Sequence, residues 1–287
     1  MDAKAIVLLA FHVAILGTVF SYGLQATRAD LAYLFQRPGL LCRSLLATAV
    51  IVPVVVVVCV KSLNLPHAAA VVLTVLSISP VPPMLPKKQS KAGGMPPYAL
   101  ALLVVLGLSA VVTVPLWGVL LESVFGLSLS MRPGAILKIV LTMIVAPLLA
   151  GLLVSSLMPG LALKLAQPVR KVATCLLIAG AVVILAGTWR AILAATGHWV
   201  VVAIIAFVLL GLLVGHLLGG PEREHSPVLA LSSAARHPAI ALTIASANFP
   251  DEQFIPTLAL YLIICTLVVI PYVKWQRAQA AGDPQVN

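Results

Sequence analysis

Stretches of about twenty apolar residues recur along this chain, parted by short polar or proline-rich breaks. A helix rising about 1.5 Å per residue needs roughly that many to cross the hydrocarbon layer of a bilayer. With 61% hydrophobic and 9% charged residues, the chain has too little polar surface to clothe a soluble core. The pattern predicts an all-α polytopic membrane protein, with about nine transmembrane helices over 1–277 and a polar tail over 278–287. The expected spans are 3–24, 39–60, a third that starts at His67, 98–121, 135–157, 172–188, 199–218, 228–248 and 254–275. The basic segment Lys164–Lys171 precedes the sixth. The apolar run 5–24 is too long for a signal-peptide core and is expected to stay as the first span.

The net charge of +10 is scattered between the apolar runs. Charge placed this way faces anionic lipid and predicts no nucleic-acid partner. With nine crossings, Lys4, Lys61, Arg132, Lys138 and Arg190 fall on one face and twelve basic residues on the other. The richer face is expected to be cytoplasmic, in a bacterial inner membrane, with the N-terminus outside and the C-terminus inside. Cys42, Cys59, Cys175 and Cys265 lie inside apolar runs and predict small buried side chains. His12, His67, His198, His216 and His225 are isolated and make no metal spacing. No nucleophile–base pair is recognisable, so no enzyme, cofactor or metal site is expected.

Two spans are interrupted. The third reads as helix only to Ser79, and then Pro80, Pro82, Pro83 and Pro86 fall within seven residues. Helix interior cannot hold that density of proline. The span either breaks and resumes or ends in a loop. The eighth is broken by Arg236-His237-Pro238, because Pro238 disfavours helix at the residue before it. Broken members at matching places divide the chain into a first repeat over 3–121 and an inverted second repeat over 172–275, joined by a linking helix over 135–157. This arrangement points to a secondary transporter, with its site at the breaks.

Arg236 lies about ten residues, roughly 15 Å, from the cytoplasmic end of its span. All eight acidic residues sit at termini, loops or span ends. Its counter-charge must therefore be backbone carbonyls, cavity water or a bound anion. Two roles are open: holding an anion, or tying together the carbonyls that the breaks free. His237 is either a proton carrier or a neutral imidazole on a carbonyl. Pro238 opens the outer half of the helix, whose free N–H groups attract anions. Ser232 and Ser233 add neutral donors. Lys87 and Lys88, with Lys91, are either a cytoplasmic cluster or neighbours of Arg236.

The segments Ala230-Leu231 and Arg236 through Leu242 resemble the broken-helix motif of the bile acid:sodium symporter family. Ser79-Pro80 through Gly93-Gly94, then Tyr98-Ala99-Leu100 and Thr113-Val114-Pro115, resemble the family's other crossing. Lys138 with Pro147 and Gly151 resembles its central helix. The resemblance implies two inverted repeats, discontinuous helices that cross at the midplane, and a core domain that moves against a smaller panel. Some members have ten helices, and this chain is expected to lack the first. In sodium-coupled members a Glu four residues before a Gln helps bind sodium, and Ser232 and Arg236 match those positions. The Ser-Asn ligands of the other crossing fall near Leu85 and Pro86. The usual sodium sites are therefore expected to be absent.

The resulting expectation is a carrier of a small organic anion by alternating access. Its substrate contacts would be Arg236, His237, Pro238, Ser232, Ser233, Lys87 and Lys88, with helix breaks at Pro80, Pro82, Pro83, Pro86 and Pro238. Coupling to sodium or protons stays open. The alternatives are a sodium-coupled symporter of a bile-acid-like anion, and a membrane sensor or assembly subunit that moves nothing.

Overall fold

The computed structural model describes residues 3–125, 133–197 and 199–281, and all regular structure among them is helical. Asp2, Arg132, His198, Asp283 and residues 282–287 of the expected tail lie outside the described residues. The helices run in order as α1 (Ala3–Gly23), α2 (Arg28–Ala32), α3 (Pro38–Leu45) and α4 (Val52–Ser62). They continue as α5 (His67–Ile78), α6 (Leu85–Lys91), α7 (Pro96–Phe125), α8 (Pro133–Val140) and α9 (Ala146–Leu157). The last are α10 (Pro159–Ala194), α11 (Val200–Leu218), α12 (His225–Ala234), α13 (Pro238–Asn248) and α14 (Ile255–Ala281). Seven segments among the described residues are long and apolar enough to cross a membrane, and the apolar runs Leu9–Gly23 and His67–Ile78 are shorter.

Four expectations need correction. Lys164, Arg170 and Lys171 stand on α10, not before a helix, because Pro159 fits the first turn and the helix starts there. Pro86 is not in the break. It sits in the first turn of α6, where its missing N–H costs nothing. Helix α14 continues past Trp275 to Ala281, so the tail begins as helix. Finally, only Cys265 is buried, while Cys42, Cys59 and Cys175 are exposed. In lipid an apolar side chain needs no protein to cover it, so apolar sequence does not imply burial.

Helices α3 and α4 form one continuous element through a π-helical stretch at Leu46–Ile51. Pro53 explains it. A proline lacks the N–H that the carbonyl four residues earlier requires. That carbonyl, on Ala49, instead accepts a hydrogen bond from Trp117 Nε1 of α7 at 2.8 Å. Trp117→Phe keeps an aromatic side chain, though a smaller one, and orphans the carbonyl. It is expected to cost about 1 kcal/mol, read as a lower unfolding midpoint in detergent.

Helix α1 packs closely on α9 and α10, and these have small apolar clusters of their own. The largest core joins α3–α4, α5, α7, α11, α12, α13 and α14. Two seams are made of glycine. Gly211 and Gly215 on α11 and Gly219 at its C-cap lie at four-residue intervals, against the backbone of Ala234, Ala230 and Ser226. A Cβ on Gly215 would stand 2.4 Å from Ala230 Cα. Gly23 and Gly151 meet in the same manner between α1 and α9, where a Cβ on Gly151 would lie 2.4 Å from Phe20 O.

Candidate functional site

The two broken helices meet at their breaks. Helix α5 stops at Ser79, which is extended, and α12 stops at Ala235, also extended. Pro80, Pro82 and Pro83 lie in the first gap and Pro238 begins the helix after the second. The breaks bond to each other: His237 N donates to Pro80 O at 2.8 Å. Gln89 Nε2 of α6 adds two more links, to Val228 O at 2.9 Å and Ser232 Oγ at 2.8 Å.

Arg236 fills the junction and is 2% exposed. Its Nε donates to Ser233 O at 3.2 Å, Nη1 to Ser79 O at 3.1 Å and Nη2 to Thr48 O at 2.9 Å. Thr48 belongs to the π-helical stretch, and its carbonyl is left open there because Val52 N donates to Ala47 O instead and Pro53 has no N–H. Ser79 and Ser233 carry terminal carbonyls of α5 and α12. The guanidinium thus sits where two helix C-termini converge. Each carries about half a negative charge, so together they offset one cation. Arg236 N also donates to Tyr261 Oη at 2.8 Å, and that hydroxyl donates to Ala234 O at 3.0 Å. Of the two roles open to Arg236, tying freed carbonyls is the arrangement found. Three of its five N–H donors are committed to these carbonyls and its surface is covered.

His237 caps α13, its Nδ1 lying 3.5 Å from Ile240 N as acceptor. That leaves the ring proton on Nε2. Among the described residues, His237 Nε2, Ser233 Oγ and Gln89 Oε1 are buried without a hydrogen-bond partner. They mark the junction as polar beyond what the chain itself satisfies.

A separate cavity of about 800 Å³ opens beside the junction. One wall is α6 with the start of α7, presenting Pro86, Lys87, Ser90 and Lys91, then Pro96, Pro97 and Leu100. The opposite wall is α1 and α10, presenting Tyr22 and Gln25, then Gln167, Arg170, Lys171, Thr174 and Cys175. Asp30 supplies the lining carboxylate, and one of its oxygens accepts from Thr27 N at 2.7 Å in the cap of α2. None of the four cations has a carboxylate within ion-pair distance among the described residues. Tyr22 Oη accepts from Lys87 N at 3.2 Å, joining the two walls. The volume suits a small organic ligand.

Of the expected site residues, Lys87 lines this cavity. Lys88, exposed on the same helix, does not, and neither do Ser232, Ser233, Arg236, His237 or Pro238. Arg170, Lys171 and Tyr22 were not expected there. The signal was present: Gln167, Arg170, Lys171, Thr174 and Cys175 repeat at helical spacing and share one face.

No curated protein matches the chain. The family model for the sodium bile acid symporter family matches residues 12–195. The matched part holds both walls of the cavity and the first break, and ends before Arg236. The match covers more than half of the sequence, and the chain belongs to the sodium bile acid symporter family.

Proposed function

We propose that the protein is a secondary carrier of a small organic anion, working by alternating access and without a bound sodium ion. The cavity carries the proposal: four cations face one carboxylate between the α1–α10 wall and the α6–α7 wall. On the orientation derived from loop charge, it opens to the cytoplasm. The crossed breaks support both a pivot and a repeat-based fold.

The junction supports sodium independence. Half-helix C-terminal ends and unwound carbonyls are what transporters offer to sodium. Here those oxygens, on Thr48, Ser79 and Ser233, are taken by Arg236. A guanidinium in place of the ion occupies those three carbonyls and sets an unfavourable field for a mobile cation. The resemblance agrees, since Arg236 stands where sodium-coupled members have Gln.

Reconstituted vesicles test both parts. Labelled organic anion is expected to exchange in counterflow, with rates changing less than about twofold when potassium replaces sodium, a difference of roughly 0.4 kcal/mol. A tenfold fall without sodium would overturn the coupling statement. Absence of saturable counterflow with every organic anion tested would overturn the carrier itself and favour a sensor.

A further inference from the structure

We infer that the anion this cavity takes carries two separated acidic groups, one for each wall, and that a monoanion cannot replace it. The inference deepens the carrier reading and rests on it for its mechanistic consequence, though not for the binding itself.

The cations are not pooled at one spot. Lys87 and Lys91 lie one helical turn apart on α6, and Arg170 and Lys171 lie side by side on α10. Each wall therefore presents its own pair, and the two pairs face one cavity. Asp30 is held by its own helix cap and offsets one of the four positive charges, so the lining stays strongly positive. Like charges on two walls of one cavity repel each other, and salt screens that repulsion only in part over so short a range. An empty cavity is thus held apart by the two pairs. A single carboxylate answers one pair and leaves the other facing it. Two acidic groups on a short spacer answer both at once. The rest of the lining fits the spacer: Pro86, Pro96, Pro97 and Leu100 are apolar, and Gln167 and Thr174 offer neutral polar groups.

Motion follows from the same charges. Alternating access requires the walls to approach when loaded. A bridging dianion replaces repulsion with attraction across the gap. A monoanion leaves net repulsion, so it neither binds well nor licenses closure. A doubly charged lipid headgroup shares this chemistry, and the experiment separates the two sources.

Purified protein in neutral detergent is titrated with succinate and with butyrate at constant ionic strength, and the unfolding midpoint is followed. Succinate is expected to raise the midpoint saturably, at a concentration at least tenfold below any effect of butyrate. Lys91→Gln and Arg170→Gln, one on each wall, are each expected to abolish the advantage of succinate over butyrate. Lys91→Arg and Lys88→Gln are expected to keep it, since the first preserves charge and the second lies outside the cavity. Equal responses to the two acids, or none, in the wild type would overturn the inference without any variant. So would an advantage that survives Arg170→Gln. Stabilisation by nanodiscs containing phosphatidic acid, with none by succinate, would assign the cavity to a lipid and overturn it too. Counterflow keeps the two readings apart. Exchange of butyrate as fast as succinate leaves the carrier standing and removes this inference. Succinate that binds but never exchanges does the reverse.

Discussion

Arg236→Met is expected to yield little monodisperse protein from detergent extracts, and what remains should unfold far below the wild type. The substitution keeps a long, flexible side chain but removes every donor. Three carbonyls, on Thr48, Ser79 and Ser233, lose their partner in a site only 2% exposed. Breaking a buried charged contact costs about 3–5 kcal/mol, because the partner groups stay buried and unanswered. That is a large share of a total stability of about 5–15 kcal/mol. Arg236→Lys should recover only part. A compact ammonium cannot reproduce the planar fork that reaches three elements at once. Arg236→Ala makes a sharper test of why the charge is there. If the guanidinium stands in for an ion, the truncated protein should unfold later in sodium chloride than in choline chloride at equal ionic strength. The wild type should not distinguish the salts. An Arg236→Met protein with wild-type midpoint and yield would sink this account of the junction.

The second large effect is expected at Gly215. A side chain there meets Ala230 Cα and Leu229 O at 2.4 Å, distances that no Cβ tolerates. Neither neighbour can rotate away, because the Cα and the carbonyl are backbone. Two effects oppose each other. Alanine favours helix over glycine by about 1 kcal/mol. Overpacking against an immobile surface costs about 1–3 kcal/mol, and more as the side chain grows. The clash wins, so Gly215→Ala should already destabilise and Gly215→Val should do so more strongly. Gly211→Val should behave likewise, since its Cβ would lie 2.6 Å from Ala234 Cα. Gly187 is the control. It is helical but has nothing within 4 Å, so Gly187→Ala should be neutral or stabilising. Thermal unfolding of the set checks the ranking, and a Gly215→Val protein as stable as Gly187→Ala would contradict the seam.

Local chemistry made the broken helices legible. Proline acts on its own neighbours, so Pro80, Pro82, Pro83 and Pro238 announce their breaks without help from the fold. What a break bonds to is a different matter. The partners of Arg236 are backbone carbonyls, and every residue type carries one. Nothing in the letters at Thr48 or Ser79 distinguishes those oxygens from others. The cavity failed to show for another reason. It is a space between α6 and α10, elements some eighty residues apart, and a void has no sequence. Half of its charge was nonetheless readable. The stripe Gln167–Cys175 has helical spacing, but the basic segment Lys164–Lys171 reads as a stretch before the sixth span, where a helix in fact already runs. Burial of cysteine was misjudged because a bilayer serves as the apolar phase for the outer faces.

The hydroxyl of Tyr22 on the amide of Lys87 has one more consequence. It is an uncharged contact, and such a contact contributes about 1 kcal/mol net. Its donor is main chain and its acceptor a side-chain hydroxyl, so exchanging the Lys87 side chain leaves it in place while Tyr22→Phe removes it. Where the two walls touch, the protein is therefore fastened by a catch of fixed and modest strength, one that thermal motion releases readily and re-forms as easily. The cleft can yield there while the Arg236 junction, with its three carbonyl bonds, stays clamped, which gives the molecule a soft place and a hard place.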